Sequence, residues 1–325
     1  MSNTIKWGMI GAGDVTEVKS GPAFKKIAGS DLVAVMRRNE EKVKDYAQRH
    51  GIAKWYTDAG ALIADEEVQA IYIATPPDSH FQYAMMALKA GKAIYVEKPM
   101  TLTVKEAQQL SDEVQLREGK LVVAHYRREQ PYFKKIKALL QTGEIGEPRF
   151  VLLQLFKRAL GTEELADPKM RWRLDAAQSG GGLFHDLAPH QIDLMVYFFG
   201  GIQKSMGIAV NQSKQYDADD VVSGQLLFKN NVVFNGAWAF NTNEEVDRCT
   251  IFGSTGTISF SFFNYEPIVL THTTGTQSFA FEPLQHVQQP MIEATVAYFR
   301  GEGKNPCDVD DGVAIMGVLD SFIKK

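Results

Sequence analysis

Apolar residues in the first part of the chain gather in short runs that are separated by polar, helix-like stretches. Five runs of four to six residues stand out, each almost wholly apolar. They are Ile5–Ile10, Leu32–Met36, Ala70–Ala74, Ala93–Val96 and Leu121–Ala124. Runs of this kind are typical of parallel strands that helices cover on both faces. The repeated order of strand and helix therefore predicts a parallel sheet with right-handed crossovers.

Capping residues and glycines mark helix boundaries between these runs. Thr103 and Glu106 form a capping box, in which each side chain satisfies a backbone N–H of the first helical turn. The predicted pairs of cap and end residue are Asn39 with Gly51, Asp78 with Gly91, and Thr103 with Gly119. Each pair brackets one helix between two successive strands.

After about residue 148 the pattern changes to an alternation of apolar with small or polar residues. In the predicted strand 232–240, Phe234, Trp238 and Phe240 fall on one face. Helices are predicted at 186–199, 286–300 and 309–323. The fold class is therefore α/β, with a doubly wound parallel sheet followed by a mostly antiparallel sheet. Two domains are predicted, 1–125 and 126–325, with the C-terminal helices able to pack back on the first.

Composition narrows the class of protein. A chain of 325 residues with 45% hydrophobic and 23% charged residues is long enough for two globular domains and is not disordered. A formal net charge of −4, with no basic cluster, argues against nucleic-acid binding. No apolar run approaches the ~20 residues that a membrane span needs. Only two cysteines occur, Cys249 and Cys307, which excludes a disulfide framework, and the lack of a CxxC pair argues against a thiolate metal site. Four residues before Ile5 leave no room for a signal peptide, so a cytoplasmic protein is expected.

The first apolar run leads directly into a glycine loop and then a helix. Gly11 permits a tight turn, and Gly13 lets the backbone approach a phosphate group. The helix N-terminus offers free N–H groups, so the loop Gly11–Val15 (Gly11, Ala12, Gly13, Asp14 and Val15) is predicted to bind a dinucleotide pyrophosphate. Thr16 stands where a third small residue is usual, and we expect looser packing of helix on strand there.

The end of the second run bears on the choice of cofactor. An acidic residue there binds a ribose 2′-hydroxyl, whereas arginine accommodates a 2′-phosphate. The sequence has Arg37 and Arg38 and no carboxylate, which favours NADP over NAD. NAD remains the alternative if both arginines are solvated surface residues.

The fourth apolar run leads into Glu97, Lys98 and Pro99. Counted in order, the fourth strand of a doubly wound sheet lies beside the first, where ligands bind. Glu97 and Lys98 are then expected at the nicotinamide end of the cofactor, where a partly desolvated lysine can transfer a proton. Pro99 fixes the turn and would aim the lysine if its peptide bond were cis. The alternative is a surface lysine after a strand.

Several motifs along the chain, taken together, are similar to those of one known protein family. They are Gly11–Gly13, Ala74–His80, Ala90–Pro99, Gly143–Gly146 and Gly180–Asp193. Together they resemble the Gfo/Idh/MocA oxidoreductase family, which includes glucose–fructose oxidoreductase and inositol dehydrogenase. The resemblance implies an N-terminal Rossmann domain and a C-terminal substrate-binding and oligomerisation domain with a large open sheet. It also implies hydride transfer between a nicotinamide cofactor and a sugar, cyclitol or related polyol.

Asp186 and His190 lie four residues apart, which puts them on one face of a helix. The preceding glycines Gly180–Gly182 allow a ligand to approach the backbone closely. Histidine is well suited to proton transfer near neutral pH. The family resemblance implies that Lys98, Asp186 and His190 are catalytic and act together at the substrate carbon. The alternatives are that Asp186 is only a helix cap and His190 a core histidine. No metal is expected.

Further candidates follow from position and from the resemblance. The predicted cofactor contacts include Thr75, Pro76, Pro77 and His80, with His80 expected near the ribose. The substrate contacts, besides Asp186 and His190, are Tyr126, Arg128, Trp172 and Arg173, and the choice between Arg127 and Arg128 stays open.

Three functions remain open from the sequence. The first is an NADP(H)-dependent sugar or polyol oxidoreductase, and the joint presence of three catalytic candidates favours it. The second is a non-catalytic regulator that senses the nucleotide. The third is an enzyme that uses its cofactor transiently for elimination or epimerisation. A homodimer or homotetramer through the C-terminal sheet is expected, because strand 232–240 is apolar or small on both faces.

Overall fold

The computed structural model describes residues 4–324, which divide into two compact units. The first unit comprises 4–130 and 284–316, and the second comprises 131–283 and 317–324. Residues 284–316 thus group with the N-terminal segment, whereas the predicted domain boundary places them in 126–325, with C-terminal helices able to pack back on the first domain.

The secondary structure follows the chain in three segments. From 4 to 130 the strands are β1 (Ile5–Ile10), β2 (Ser30–Met36), β3 (Lys54–Tyr56), β4 (Ala70–Ile73), β5 (Ala93–Val96) and β6 (Leu121–Val123). The helices of this segment are α1 (Gly21–Lys26), α2 (Glu40–His50), α3 (Ala59–Ala64), α4 (His80–Lys89) and α5 (Val104–Leu116). From 131 to 283 the helices are α6 (Pro131–Gln141), α7 (Thr162–Ala166), α8 (Pro168–Leu174), α9 (Ala176–Ser179) and α10 (Gly182–Phe199). The strands there are β7 (Pro148–Arg158), β8 (Ile202–Val210), β9 (Val221–Phe228), β10 (Val233–Thr242), β11 (Val246–Gly253), β12 (Gly256–Phe260), β13 (Ile268–His272) and β14 (Gly275–Phe279). The last helices are α11 (Gln289–Phe299) and α12 (Val309–Ile323).

The sheet of the first unit is parallel throughout, as the sequence predicts, and its strand order is β3-β2-β1-β4-β5-β6. One strand was missed, because Lys54–Tyr56 is only three residues long and forms no apolar run. The fourth predicted run is therefore β5, which pairs with β4 and β6. The expectation that it lies beside β1 is wrong, since β4 occupies that place.

Two of the three predicted helix starts are confirmed. Asn39 accepts the Lys42 N–H over 2.9 Å, and Thr103 with Glu106 forms the capping box of α5. Asp78 does not cap α4, because a short 3₁₀ turn over Pro77–Ser79 intervenes.

The segment 284–316 completes the core of the first unit. The ring of Phe299 on α11 lies 5.5 Å from that of Trp7 on β1. The Phe299 carbonyl accepts the Lys120 ammonium over 2.7 Å, and the Tyr95 hydroxyl donates to Gln288 over 3.0 Å. Aromatic packing and buried hydrogen bonds therefore bind this late segment to the early strands.

The second unit has an eight-stranded sheet of order β14-β13-β12-β11-β7-β10-β9-β8. Only the β7–β10 pair is parallel among its paired strands in residues 131–283, so the prediction of a mostly antiparallel sheet is confirmed. Phe234, Trp238 and Phe240 of β10 are buried on its inner face.

A row of glycines crosses three strands on this inner face. Gly224 pairs with Gly207 on one side and with Gly236 on the other. A Cβ atom on Gly224 would lie 2.1 Å from Cε2 of Phe322, on α12. The absence of side chains at Gly207 and Gly224 therefore makes the space that the Phe322 ring fills, whereas Gly236 makes room for the Trp238 ring.

The opposite face of the same sheet carries exposed apolar side chains. They are Leu152, Met206, Ile208, Val210, Val233 and Phe252, and Ile208 is 75% exposed. No helix within residues 4–324 combines the length and apolar character that crossing a membrane requires.

Candidate active site

The glycine loop lies between the ends of β2 and β4. The N–H groups of Gly11 and Ala12 both donate to the Met36 carbonyl, over 3.0 and 3.1 Å. Gly11 has φ +99°, and a Cβ there would lie 2.8 Å from the backbone of Ala74 and Thr75. Glycine is needed at this position both for its backbone angle and for the close approach of β4.

Thr16 closes the loop with its hydroxyl. Its Oγ1 accepts the Gly13 N–H over 3.0 Å and donates to the Gly13 carbonyl over 2.8 Å. A π-helical turn follows over Thr16–Ser20, and the Tyr46 hydroxyl donates to the Thr16 carbonyl over 2.9 Å. Thr16 is fully buried, so the expected loose packing at this position is not found.

Arg37 follows β2 and reaches back over the loop. Its Nη1 donates to the Ala12 carbonyl over 3.0 Å, while Arg38 is exposed. A guanidinium carries five N–H donors in a planar fork, so one bond to Ala12 leaves donors for a phosphate.

A buried hydrogen-bond network holds the turn after β5. The Glu97 carboxylate accepts the Tyr72 hydroxyl and the Gln288 side-chain amide, each over 2.6 Å. The Gln288 carbonyl oxygen accepts the Tyr95 hydroxyl, and the Tyr72 hydroxyl also contacts Ser20 over 3.0 Å. Burial and the charge of Glu97 raise the pKa of Tyr72 and of Tyr95 well above their usual value, so both stay protonated donors.

Lys98 is half-buried in this turn, and the Lys98–Pro99 peptide bond is cis. His125 is buried after β6. Burial, together with the positive charges of Arg128 and Lys98, holds the pKa of His125 well below its usual value. The imidazole is therefore neutral beside these two cations.

His80 joins two turns instead of facing a ligand. Its side chain is fully buried, with Nδ1 2.8 Å from the Pro99 carbonyl and Nε2 2.8 Å from the Thr75 carbonyl. Burial lowers its pKa. Both ring nitrogens are engaged by backbone, so the expected contact with the cofactor ribose does not fit this geometry.

Arg128, which the sequence predicts to bind the substrate, has a partner within the first unit. Its side chain is buried and pairs with Asp311 at the start of α12, Nη1 to Oδ2 2.6 Å. This ion pair occupies one nitrogen of the guanidinium. The Arg127 guanidinium lies over the ring of Tyr126, 5.6 Å from its centroid, and both residues are buried.

In the second unit, α10 carries Asp186 and His190. The helix begins at Gly182, so Asp186 lies in its second turn and is not its cap. A Cβ on Gly181 would lie 2.1 Å from the His185 ring, and one on Gly182 would lie 2.4 Å from Ala218. These two glycines therefore make room for protein side chains. The sequence had predicted that they let a ligand approach the backbone.

Asp186 is paired within its own unit. Its Oδ2 accepts a hydrogen bond from Nε of Arg173 over 3.1 Å. The Arg173 guanidinium in turn stacks on Trp172, 4.3 Å from the ring centroid. Three predicted residues are thus brought together on α8 and α10. The ion pair fixes the carboxylate one helical turn before His190.

His190 is buried, and its imidazole meets the ring of Phe263 at 6.1 Å between centroids and 75° between planes. Phe263 and Gln288 were missed by sequence reasoning. Phe263 belongs to an alternating apolar strand pattern, and Gln288 has no motif around it, so neither carried a signal. Among residues 4–324 no three His, Cys, Asp or Glu side chains group as metal ligands.

The loop fits a dinucleotide. A Cβ on Gly13 would meet only the Gly11 carbonyl oxygen, at 3.8 Å, so the surface over Gly13 is open to a ligand. Two neighbours of Gly13 in the loop are held from outside it: Arg37 bonds to the Ala12 carbonyl, and the β4 end at Ala74 and Thr75 approaches Gly11 closely. Ser79 donates its hydroxyl to Thr75 Oγ1 over 2.8 Å, which fixes the Thr75 side chain.

Comparison with known proteins agrees with the fold of both units. Residues 5–125 match an oxidoreductase family with an NAD-binding Rossmann fold, and residues 133–259 match the GFO/IDH/MocA C-terminal domain. Oxidoreductase P35 of Formosa agariphila is 48% identical over 324 residues, which is 99% of each chain. The 1,5-anhydro-D-fructose reductase of Ensifer adhaerens is 24% identical over 95% of this chain and 92% of its own. The solved structure of levoglucosan dehydrogenase with NADH and L-sorbose has a TM-score of 0.86 at 20% identity, over 98% of this chain and 96% of its own.

Proposed function

This chain belongs to the Gfo/Idh/MocA family of NAD(P)-dependent oxidoreductases, and on that premise we propose that it transfers a hydride between NADP(H) and a sugar, cyclitol or related polyol. The resemblance recognised in the sequence motifs is confirmed. The class of substrate draws support from two similar proteins, which are named 1,5-anhydro-D-fructose reductase and levoglucosan dehydrogenase.

The observation that carries the proposal is the pairing of the open glycine loop with an anchored Glu97-Lys98-Pro99 turn in one unit. Gly11–Gly13 and the start of the following helix would hold the pyrophosphate of the cofactor. When bound, the nicotinamide supplies the acceptor or donor of the hydride.

Arg37 supports the preference for NADP(H). Its guanidinium is held over the loop by the Ala12 carbonyl, and no acidic residue follows β2 before Glu40 to bind a 2′-hydroxyl instead. Arg38 is exposed beside it and would add a second positive charge. A planar fork of donors suits the oxygens of a 2′-phosphate.

We assign proton transfer to Lys98 and His190. As a hydride leaves a carbinol carbon, the hydroxyl must lose its proton to a base, and the reverse step needs an acid. Asp186 is proposed to support the charge on His190, and Arg173 to hold Asp186 in place over 3.1 Å. Trp172 would present its ring to the substrate.

The test is a panel assay that follows NADPH and NADH absorbance with sugars, cyclitols and anhydrosugars in both directions. Steady consumption of NADPH with a carbonyl compound, or its formation with a polyol, is expected. A substrate that disappears without a net change in NADPH would favour transient use of the cofactor. Binding of NADPH without turnover of any compound in the panel would overturn the proposal.

A further inference from the structure

A short turn after β12 is fixed by a buried carboxylate. Asp247 on β11 accepts the Phe262 N–H over 3.0 and 3.1 Å, the Phe263 N–H over 2.6 Å and the Asn264 N–H over 3.1 Å. Asp247 is 7% exposed. Charge-assisted hydrogen bonds from three successive N–H groups hold the backbone of this turn in one conformation.

A second anchor holds the same turn from α6. The Tyr132 hydroxyl donates to the Glu266 carbonyl over 2.8 Å and accepts the Ser261 N–H over 3.2 Å. Ser261 Oγ also accepts the Glu266 N–H over 3.0 Å. The segment 261–266 is therefore closed at both ends by side-chain contacts, in addition to the Asp247 carboxylate.

The turn directs its two phenylalanines to different surroundings. Phe262 is buried and packs on Phe133 and Phe260, with ring centroids 6.0 and 5.2 Å apart. Phe263 is half-buried and meets the imidazole of His190 instead. The anchored backbone thus places the aromatic ring of this half-buried residue beside the proposed acid–base group.

We propose that Phe263 is a specificity-determining residue whose ring packs against the C–H face of a cyclic polyol or sugar while His190 addresses the hydroxyl. Small-molecule sites are lined mainly by apolar and aromatic side chains, with a few polar groups that fix orientation. A sugar or cyclitol ring presents axial C–H groups on one face, and the face of an aromatic ring carries a partial negative charge that attracts their hydrogens. The proposal rests on the proposed function of His190.

The experiment compares Phe263→Leu and Phe263→Tyr with wild type on the best cyclic substrate of the panel. Phe263→Leu removes the ring and should raise KM about 5- to 10-fold with kcat within about 2-fold, because a contact made equally in ground and transition states is lost. Phe263→Tyr keeps the ring and should restore KM. Phe279→Leu, a half-buried phenylalanine on β14, is the matched control and should change neither constant.

Asp247→Asn tests whether the bonded turn positions Phe263, because one carboxylate oxygen is replaced by an amide donor that faces backbone N–H groups. This change should raise KM, as Phe263→Leu does. If Asp247→Asn does not fold, the Phe263 variants still decide the question.

The remaining outcomes separate the two proposals. A fall in kcat with a shifted pH profile and unchanged KM in Phe263→Leu would mean that the ring acts on the imidazole alone, and unchanged constants would mean that it is passive. Either result overturns the inference while leaving the proposed function intact, provided that His190→Ala lowers kcat by about 10²-fold or more. Undiminished turnover by His190→Ala would refute the assignment of His190 itself.

Discussion

The Gln288 side-chain amide donates to the Glu97 carboxylate over 2.6 Å, although the two residues lie 191 positions apart. Gln288 thereby anchors the turn that carries Lys98. Gln288→Leu should leave the buried carboxylate short of one donor, lowering stability by about 1–3 kcal/mol. It should also cut kcat by up to about 10²-fold through misplacement of Lys98, with little effect on the cofactor Kd.

Steady-state kinetics and thermal unfolding measure both effects of Gln288→Leu. Gln289→Leu, at the adjacent and more exposed position, is the control and should behave as wild type. A Gln288→Leu protein with unchanged kcat would show that the turn does not depend on this contact.

Arg37→Asp should weaken NADPH binding by about 10- to 100-fold, because a charge-assisted contact worth about 1.5–3 kcal/mol is replaced by repulsion. Binding of NADH should change little, so discrimination between the cofactors should disappear. Fluorescence titration gives both Kd values. Lys42→Asp, on the exposed face of α2, makes the same change in charge and should leave both values unaltered. Equal affinity of wild type for the two cofactors would contradict the NADP preference.

Lys98→Met and His190→Ala should each lower kcat about 10²- to 10⁴-fold, the usual contribution of general acid–base groups. Affinity for NADPH should stay near wild type, because the glycine loop holds the pyrophosphate. Asp186→Asn should cost less, since Asp186 acts through His190. The double variant should lose less than the sum of the single losses in free energy.

Controls for this pair are Lys105→Met and His272→Ala, which remove the same side-chain types outside the proposed site. Near-normal turnover by Lys98→Met would move proton transfer to another group, with Tyr126 the next candidate.

Gly224→Ala should destabilise the protein by about 1–3 kcal/mol, because its Cβ would lie 2.1 Å from the Phe322 ring. Gly317→Ala on α12 is the matched control. Apart from its chain neighbours and the backbone of its own helix, no described atom lies within 4 Å of the added Cβ, so the change should be neutral or stabilising by up to about 1 kcal/mol. Thermal unfolding compares the two, and a Gly224→Ala protein as stable as wild type would mean that the ring moves aside at no cost.

The exposed apolar face of the second sheet is expected to pair with a second copy of the chain. Light scattering should give at least twice 36.2 kDa for wild type at micromolar concentration. Ile208→Arg places a charge on this face and should shift the mass toward the monomer, whereas Gln277→Arg on the edge strand β14 should not. A monomeric wild type would refute the pairing.

The features that the sequence predicted correctly depend on interactions between residues close together in the chain. The capping box of Thr103 and Glu106, the turn at Gly11 and the inward face of β10 each depend on residues that are close in the chain. Residues of this kind leave a readable pattern, and each of these features is present in the structure.

Long-range pairing left no such pattern. Nothing near Arg128 indicates that Asp311, 183 residues later, would take its guanidinium. His80 was predicted to contact the cofactor from its position after a strand. Its partners in the structure are backbone carbonyls, which no sequence motif reveals. The strand β3 was missed because it is only three residues long and has just two aromatic residues after Lys54, and the count of strands shifted by one as a result.

Neither unit is a single stretch of chain, and this affects how the protein is made. The N-terminal part of a chain leaves the ribosome first and begins to fold there. When residues up to 130 have emerged, Trp7 still lacks Phe299, and the row of glycines in the second sheet stays uncovered until Phe322 is released. Both cores therefore close late in synthesis. Until then the nascent chain presents apolar surface, and we expect chaperones to hold it through translation of α11 and α12.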